Sequence, residues 1–202
     1  SMDVSKGVEE KYISKPNFCM IEMTSPSSYI SKDADSMLDK HFYKNTAMYA
    51  RAGDIANKSV KLLGHQVLIL IDEVTQFQYL LPKLEHEVKF AHGGVTAVNR
   101  KSVPQEFWKS NPSELVANFN AGKIPVLVGT GCISIGTDIR TPKTVIYLQG
   151  GTSEVKIRQA IGRGCRRQGD KTEFNFWDFC VKVRHPEDTN FEAITHRHAI
   201  IR

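Results

Sequence analysis

Gln159, Arg163 and Arg166, within Gln159-Ala160-Ile161-Gly162-Arg163-Gly164-Cys165-Arg166-Arg167, carry the most pointed chemistry in this chain. A guanidinium stays charged at any physiological pH and presents a planar fork of N–H donors that fits phosphate oxygens. Three residues apart on a helix, Arg163 and Arg166 share a face. Gln159 lies one turn earlier, so all three groups are expected to converge on one target. Standing alone, such a cluster is more often a solvated basic helix face. A second segment, Thr130-Gly131-Cys132-Ile133-Ser134-Ile135-Gly136-Thr137-Asp138, follows an apolar strand and offers a hydroxyl, backbone amides and a carboxylate in one tight loop. By itself it reads equally as a turn.

Positioning these groups requires rigid elements, and the apolar pattern supplies them. Met48, Ala52, Ile55, Leu62 and Leu63 recur at near-helical spacing between Asn45 and Leu63, with Gly64 placed as a C-cap glycine. Val67 to Ile71 is a continuous apolar run of strand length, and Val74, Phe77, Leu81 and Leu84 then recur as on a helix, which Asp72 and Glu73 begin at its positive end. A short strand over Val88 to Ala91 leads into a polar loop with Gly93-Gly94. Asn111-Pro112-Ser113-Glu114 supplies an N-cap, an N1 proline and an N3 glutamate for a helix running to about Ala121, ending at Gly122.

Val126 to Val128 and Val145 to Leu148 read as buried strands, Ser153 caps a helix through about Gly164, and Phe174 to Phe179 forms an aromatic strand. The tail from Asp188 to Arg202 is expected as a final helix, and residues 1–45, with a strand candidate at Phe18 to Met23, as a connecting segment. Alternating strands and helices imply an α/β fold with a mostly parallel sheet covered on both faces. In such sheets ligands sit beyond the C-terminal strand ends, so the loops after Val128 and Leu148 and the helix start at Ser153 form the expected site.

Composition narrows the class. A chain of 202 residues, 41% hydrophobic and 24% charged, is sized for one globular domain. Its 27 Lys and Arg against 22 Asp and Glu give a formal charge of +5, which leans only slightly toward polyanions. The run Val67 to Ile71 is far too short to span a bilayer, and no basic start precedes an apolar stretch as in a signal peptide, so a cytoplasmic protein without a membrane partner is expected. Cys19, Cys132, Cys165 and Cys180 are scattered without a Cys-x-x-Cys pair. His196 and His198, two apart on a helix, would point in different directions, and no metal site is expected. Ser1-Met2 reads as the scar of a cleaved tag on a piece of something longer.

Together, Thr130 to Asp138 and Gln159 to Arg166 resemble motifs V and VI of superfamily 2 helicases. Motif V is Thr, five variable residues, Gly, one variable residue and Asp, matched by Thr130, Gly136 and Asp138; motif VI, Gln-x-x-Gly-Arg-x-x-Arg, is matched by Gln159, Gly162, Arg163 and Arg166. Val67 to Ile71 looks like motif IV and Ala91-His92-Gly93-Gly94 like the strand end and loop after it, so the resemblance runs from Asn45 to Phe179. It implies the second RecA-like domain of such a helicase, occupying residues 46–202. It implies Arg166 as arginine finger, Arg163 as a second γ-phosphate contact and Gln159 as a polar link to the nucleotide. Gly136, Asp138 and Gly162 would line the nucleotide cleft, and Thr130, with His92 and Gly93, would touch the nucleic-acid backbone. ATP and Mg2+ would be held mainly by an N-terminal RecA-like domain, for which residues 1–45 would be the linker, with none bound tightly here.

The tail, Phe191 to Arg202, resembles the helix closing some DNA-directed members, such as phage branch-migration helicases and restriction-type translocases. This tips the expected partner from RNA toward DNA, in a host cytoplasm if phage-encoded. The reading from another class is a non-catalytic nucleic-acid-binding or protein-docking module, against which the intact Gln159, Arg163 and Arg166 argue.

Two features imitate a complete ATPase. Leu68 to Glu73 resembles a Walker B strand, and Ala52-Gly53-Asp54-Ile55-Ala56-Asn57-Lys58-Ser59 nearly repeats a Walker A loop. Asn57 stands where glycine is needed for amides to wrap phosphate, and Lys58 lies inside a helical pattern with no strand before it. The expectation is that this chain alone neither binds ATP tightly nor hydrolyses it.

Overall fold

The computed structural model describes residues 13–25, 38–133, 138–151, 153–184 and 191–193. Their strands are β1 (Lys15–Thr24), β2 (Val67–Ile71), β3 (Val88–Ala91), β4 (Val126–Gly129), β5 (Thr144–Leu148), β6 (Glu173–Arg184) and β7 (Phe191–Ala193). The sheet runs β1-β6-β5-β2-β4-β3, all parallel, with β7 antiparallel on β6. The helices are α1 (Thr46–Leu63), the single turn α2 (Phe77–Leu80), α3 (Pro112–Asn120) and α4 (Glu154–Cys165). This is the expected RecA-like α/β sheet with helices on both faces.

β2 is central, so every one of its side chains is buried. Its alternation divides the core. Val67, Ile69 and Ile71 pack with Met48, Tyr49, Ala52 and Ile55 of α1, while Leu68 and Leu70 pack with Val116 and Phe119 of α3 and Ile157 and Ala160 of α4. The local signals hold at the ends of these helices. Asn45 Oδ1 accepts from Met48 N at 3.1 Å, and Gly64 closes α1 at φ 63°. Asn111 caps α3 with Pro112 in its first turn, and Ser153 caps α4 through Lys156 N.

Three expectations change. The helix after β2 is not continuous: Val74–Gln76 and Leu81–Lys83 are 3-10 turns on either side of α2, with Pro82 in the second. Lys15–Thr24, expected within a connecting segment, pairs with β6 along its whole length from Lys15↔Glu173 to Thr24↔Lys182. As an edge strand it alternates exposed and partly buried residues, so it shows none of the continuous apolar run that marks β2. In the tail, Phe191–Ala193 is β7 rather than part of a helix, and the remainder of that expected helix lies outside the described residues.

Candidate functional site

α4 begins beyond the C-terminal end of β5 and runs back across the sheet. Its 12 residues rise about 18 Å, the length of a five-residue strand, so its last turn lies at the N-terminal edge. Gly164 lets it sit tightly on β6, since a Cβ there would lie 1.9 Å from the Phe174 ring. α4 ends at Cys165, and Arg166 continues with extended backbone, φ −62° and ψ 130°, bridged to Ile13.

Asp138 is the counter-ion at this edge. It pairs with the guanidinium of Arg140 and with Nη1 of Arg166. These contacts, the Arg140 hydrogen bond first and Arg166 after it, hold its carboxyl below the usual range. Asn120, the last residue of α3, fixes the returning loop: its Nδ2 donates to Asp138 O at 2.6 Å, and its Oδ1 accepts from Arg140 N at 3.0 Å. Arg163 is buried beside them. Burial pulls its guanidinium below the ordinary value, repulsion from Arg166 adds to this, and Asp138 opposes it. An open groove of about 410 Å³, bordered by Ser113, Asn120, Asp138, Arg140 and Gln168, lies against the cluster.

Underneath, Lys171 is 2% exposed, and its Nζ donates to Arg140 O and Arg166 O, both at 3.0 Å. Burial lowers it to about 8, with Lys143 adding to the fall and Cys165 opposing it. Lys171 and Asn120 escaped the sequence reading because a lone Lys before a strand and an Asn at a helix end carry no motif. Of the expected triplet, Arg166 pairs with Asp138 and Arg163 is buried where the charges of both act on it, whereas Gln159 lies on the exposed face of α4. Arg166 stands beyond the helix rather than on its face. Gly162 is exposed, with nothing within 4 Å of where a Cβ would stand, and Gly136 lies outside the described residues. The cluster occupies the N-terminal edge, opposite to the expected strand ends, because α4 carries it there.

The C-terminal edge holds the other expected residues. Thr130 is buried, donating its N–H to Ala91 O at 3.1 Å and its hydroxyl to Cys132 Sγ at 3.6 Å. Gly93 is exposed next to Cys132. His92, expected as a nucleic-acid contact, is 2% exposed with both ring nitrogens engaged: Nε2 donates to Phe107 O at 2.7 Å, and Nδ1 accepts from Gly94 N at 3.1 Å. It fixes the loop from inside because its ring packs on Phe90 and fills the space below the glycines. What that loop exposes is Arg100, stacked 5.0 Å over Trp108, with Lys101 and Lys109.

Asp72 does not start a helix; Glu73 caps the 3-10 turn, sharing a reciprocal capping box with Gln76. The Asp72 carboxylate accepts from Tyr43 OH at 2.9 Å, Gly150 N at 2.6 Å and Lys156 Nζ at 3.3 Å. The near-Walker A segment lies in the middle of α1: Lys58 pairs with Asp54, and Asn57 bonds Lys83 O and Glu85 N at 3.0 Å each. Burial raises the Cys165 thiol to about 11, which suits packing rather than reaction. Among the described residues no group of three or more His, Cys, Asp or Glu is placed to hold a metal ion, and no helix is long and apolar enough to cross a membrane. His196 and His198 lie outside the described residues.

The fold is thus a parallel RecA-like sheet with an arginine–aspartate cluster at the end of its last crossover helix. The helicase conserved C-terminal domain model matches residues 54–168, more than half of the chain, and the chain belongs to that family. Among solved structures, a DUF1998 helicase MrfA bound to DNA is similar at 14% identity and TM-score 0.50, over 85% of this chain and 20% of that one. The C-terminal part of the Fun30 ATPase domain matches at 14% and 0.49, over 76% and 44%. The C-terminal domain of the DEAD-box protein Dbp5 matches at 21% and 0.43, over 64% and 69%. The chain thus spans less than half of the Fun30 structure. No curated protein matches it.

Proposed function

We propose that this domain is the C-terminal half of an ATP-dependent nucleic-acid helicase or translocase and supplies its arginine finger. The observation that carries this reading is the pair Arg163 and Arg166 at the end of α4, Arg166 ion-paired with the open carboxylate of Asp138 and Arg163 buried within reach of its charge. Burial, with repulsion from Arg166 added, makes the charged form of Arg163 costly, a cost that an incoming phosphate would relieve. ATP and Mg2+ would be held mainly by a first RecA-like domain, and the metal would supply neutralisation of phosphate charge there. As the domains close, Arg166 exchanges its Asp138 contact for a γ-phosphate oxygen and Arg163 supports it from the buried side, stabilising charge that develops in phosphoryl transfer. Asp138 then keeps Arg140 as its partner, so no carboxylate is stranded. Gln159, on the outer face of α4, contacts the partner domain or the nucleotide, with Gly162, where a Cβ would meet nothing within 4 Å, allowing close approach.

Nucleic acid lies along the opposite edge, over Gly93 and the cations Arg100, Lys101 and Lys109, with Thr130 beneath. Repeated closure shifts the grips of the two domains along the strand. DNA is the proposed substrate. That preference came from the resemblance of the tail to a helix, and β7 now takes part of that segment, so RNA belongs in the same assay.

The deciding experiment measures ATP hydrolysis by the full-length protein with single-stranded, duplex and branched DNA and with RNA, for wild type and Arg166→Ala. Lost turnover with ATP binding retained supports the finger, and the stimulating polymer names the substrate class. Unchanged turnover in Arg166→Ala would leave a non-catalytic binding or docking domain as the better account.

A further inference from the structure

Asp138 joins the side chains of Arg140 and Arg166 on the solvent side of the cluster. On the buried side one ammonium joins the same two residues through their backbones, Lys171 Nζ donating to both carbonyls at 3.0 Å over the Phe174 ring. The turn carrying Lys171 is anchored in its own right: Ser14 Oγ donates to Lys171 O at 3.1 Å, and Ser14 N donates to Cys165 O at 2.7 Å. A buried charge is costly, and nothing about filling this space requires lysine rather than an apolar side chain. We propose that Lys171 is a positioning residue of the arginine site, its ammonium fixing the backbone from which Arg166 reaches the γ-phosphate.

The inference rests on the reading of Arg166 given above. Charged, Lys171 makes charge-assisted bonds to both carbonyls; neutral, it holds them less firmly, and Arg166 loses its fixed origin. The groups around it are the Cys165 thiol of α4, Lys143 before β5, Asp170 in its own turn, and His65 and Glu173 along the same small cavity. Lys143 is paired with Asp170, and Cys165 stays protonated through the range in which Lys171 titrates, so the change near pH 8 belongs to Lys171.

The test is nucleic-acid-stimulated ATP hydrolysis by the full-length protein, comparing wild type, Lys171→Met, Lys171→Arg, Arg166→Ala and the double variant Lys171→Met/Arg166→Ala across pH 6.5 to 9.5. We expect Lys171→Met to lower kcat about tenfold to a hundredfold, as a displacement of about 1 Å does in other active sites, with KM for ATP little changed and no further loss on the Arg166→Ala background. Wild-type kcat should fall as pH rises through about 8, and Lys171→Arg should keep its turnover there. Wild-type kcat in Lys171→Met beside an inactive Arg166→Ala overturns the positioning role and leaves the finger standing. Full turnover in Arg166→Ala overturns the reading of the site itself. If Lys171→Met melts too early to assay, Lys171→Gln, which keeps a donor but not the charge, decides: wild-type kcat in that variant across the pH range overturns the proposal.

Discussion

Each edge of the sheet carries an aspartate ringed by donors, and the two differ in what they leave available. At the C-terminal edge the Asp72 side chain is only 13% exposed, and Tyr43, a backbone amide and Lys156 occupy its oxygens. At the N-terminal edge the Asp138 side chain is 42% exposed, and its partners are two arginines that also reach solvent. A saturated, enclosed carboxylate ties elements together, whereas an open one with solvent-exposed guanidiniums can exchange a partner for a ligand. The difference separates a structural hub from a candidate reaction site, although the sequence around Asp72 imitates the better-known ATPase motif.

Substitutions can break this contrast, and the largest effect belongs to the N-terminal edge. Arg166→Ala should cost about 10³-fold or more in hydrolysis by the full-length protein, while denaturant midpoints stay close to wild type. The present chain alone should show no turnover, and measurable hydrolysis by the purified domain would remove the half-site reading.

Next comes the pH dependence of stability. The folded-state value of Lys171, about 8, lies below its ordinary 10.5. Between these values the unfolded chain holds a proton that the folded chain has lost, so the Lys171 contribution to stability rises with pH across that window, by about 3 kcal/mol in all. Denaturation of wild type and Lys171→Met at pH 7.5 and pH 10 checks this: the difference should move in favour of wild type at the higher pH. Stability and turnover would then respond to pH in opposite directions, which a purely structural lysine would not produce.

Smaller effects sharpen the comparison. Gly164→Ala places a Cβ against the Phe174 ring and should cost about 1–3 kcal/mol, partly recovered in a Phe174→Leu background. Asp72→Asn removes the carboxylate from three donors and should cost about 1–3 kcal/mol of stability without a specific loss of hydrolysis. A turnover defect larger than its stability defect would erase the distinction between the two edges. The smallest change is expected from Lys101→Ala, which should weaken nucleic-acid binding with a salt slope reduced by about 1 and leave the melting temperature unchanged.

Much of the architecture could be read locally. Val67 to Ile71, Val88 to Ala91, the Asn111 and Ser153 caps and the Gly64 terminus all depend on neighbours within a turn or two, where periodicity and capping chemistry act. The strand candidate at Phe18 to Met23 was placed in a connecting segment because an edge strand buries only part of each face, and the helix after β2 was overdrawn because apolar spacing says nothing of the break at Pro82. His92 was misplaced for a different reason: its position in the pattern is right, but the Phe107 carbonyl and the Gly94 amide, which the pattern cannot see, turn its ring inward.

Residue order alone thus settled β2 to β6, the helix ends at Gly64, Asn111 and Ser153 and the spacing of the two motifs, since those depend on short-range sterics and on residue types at fixed spacing. The fold decided which chemistry shares an edge. Lys171 meets Arg140 across 31 positions, Asn120 meets Asp138 across 18, and Asp72 meets Gly150 across 78. Such contacts arise from strand order and from the return of α4 across the sheet. That return set Arg163 and Arg166 beside Asp138 at the edge opposite Thr130 and Gly93, a separation that no local spacing encodes.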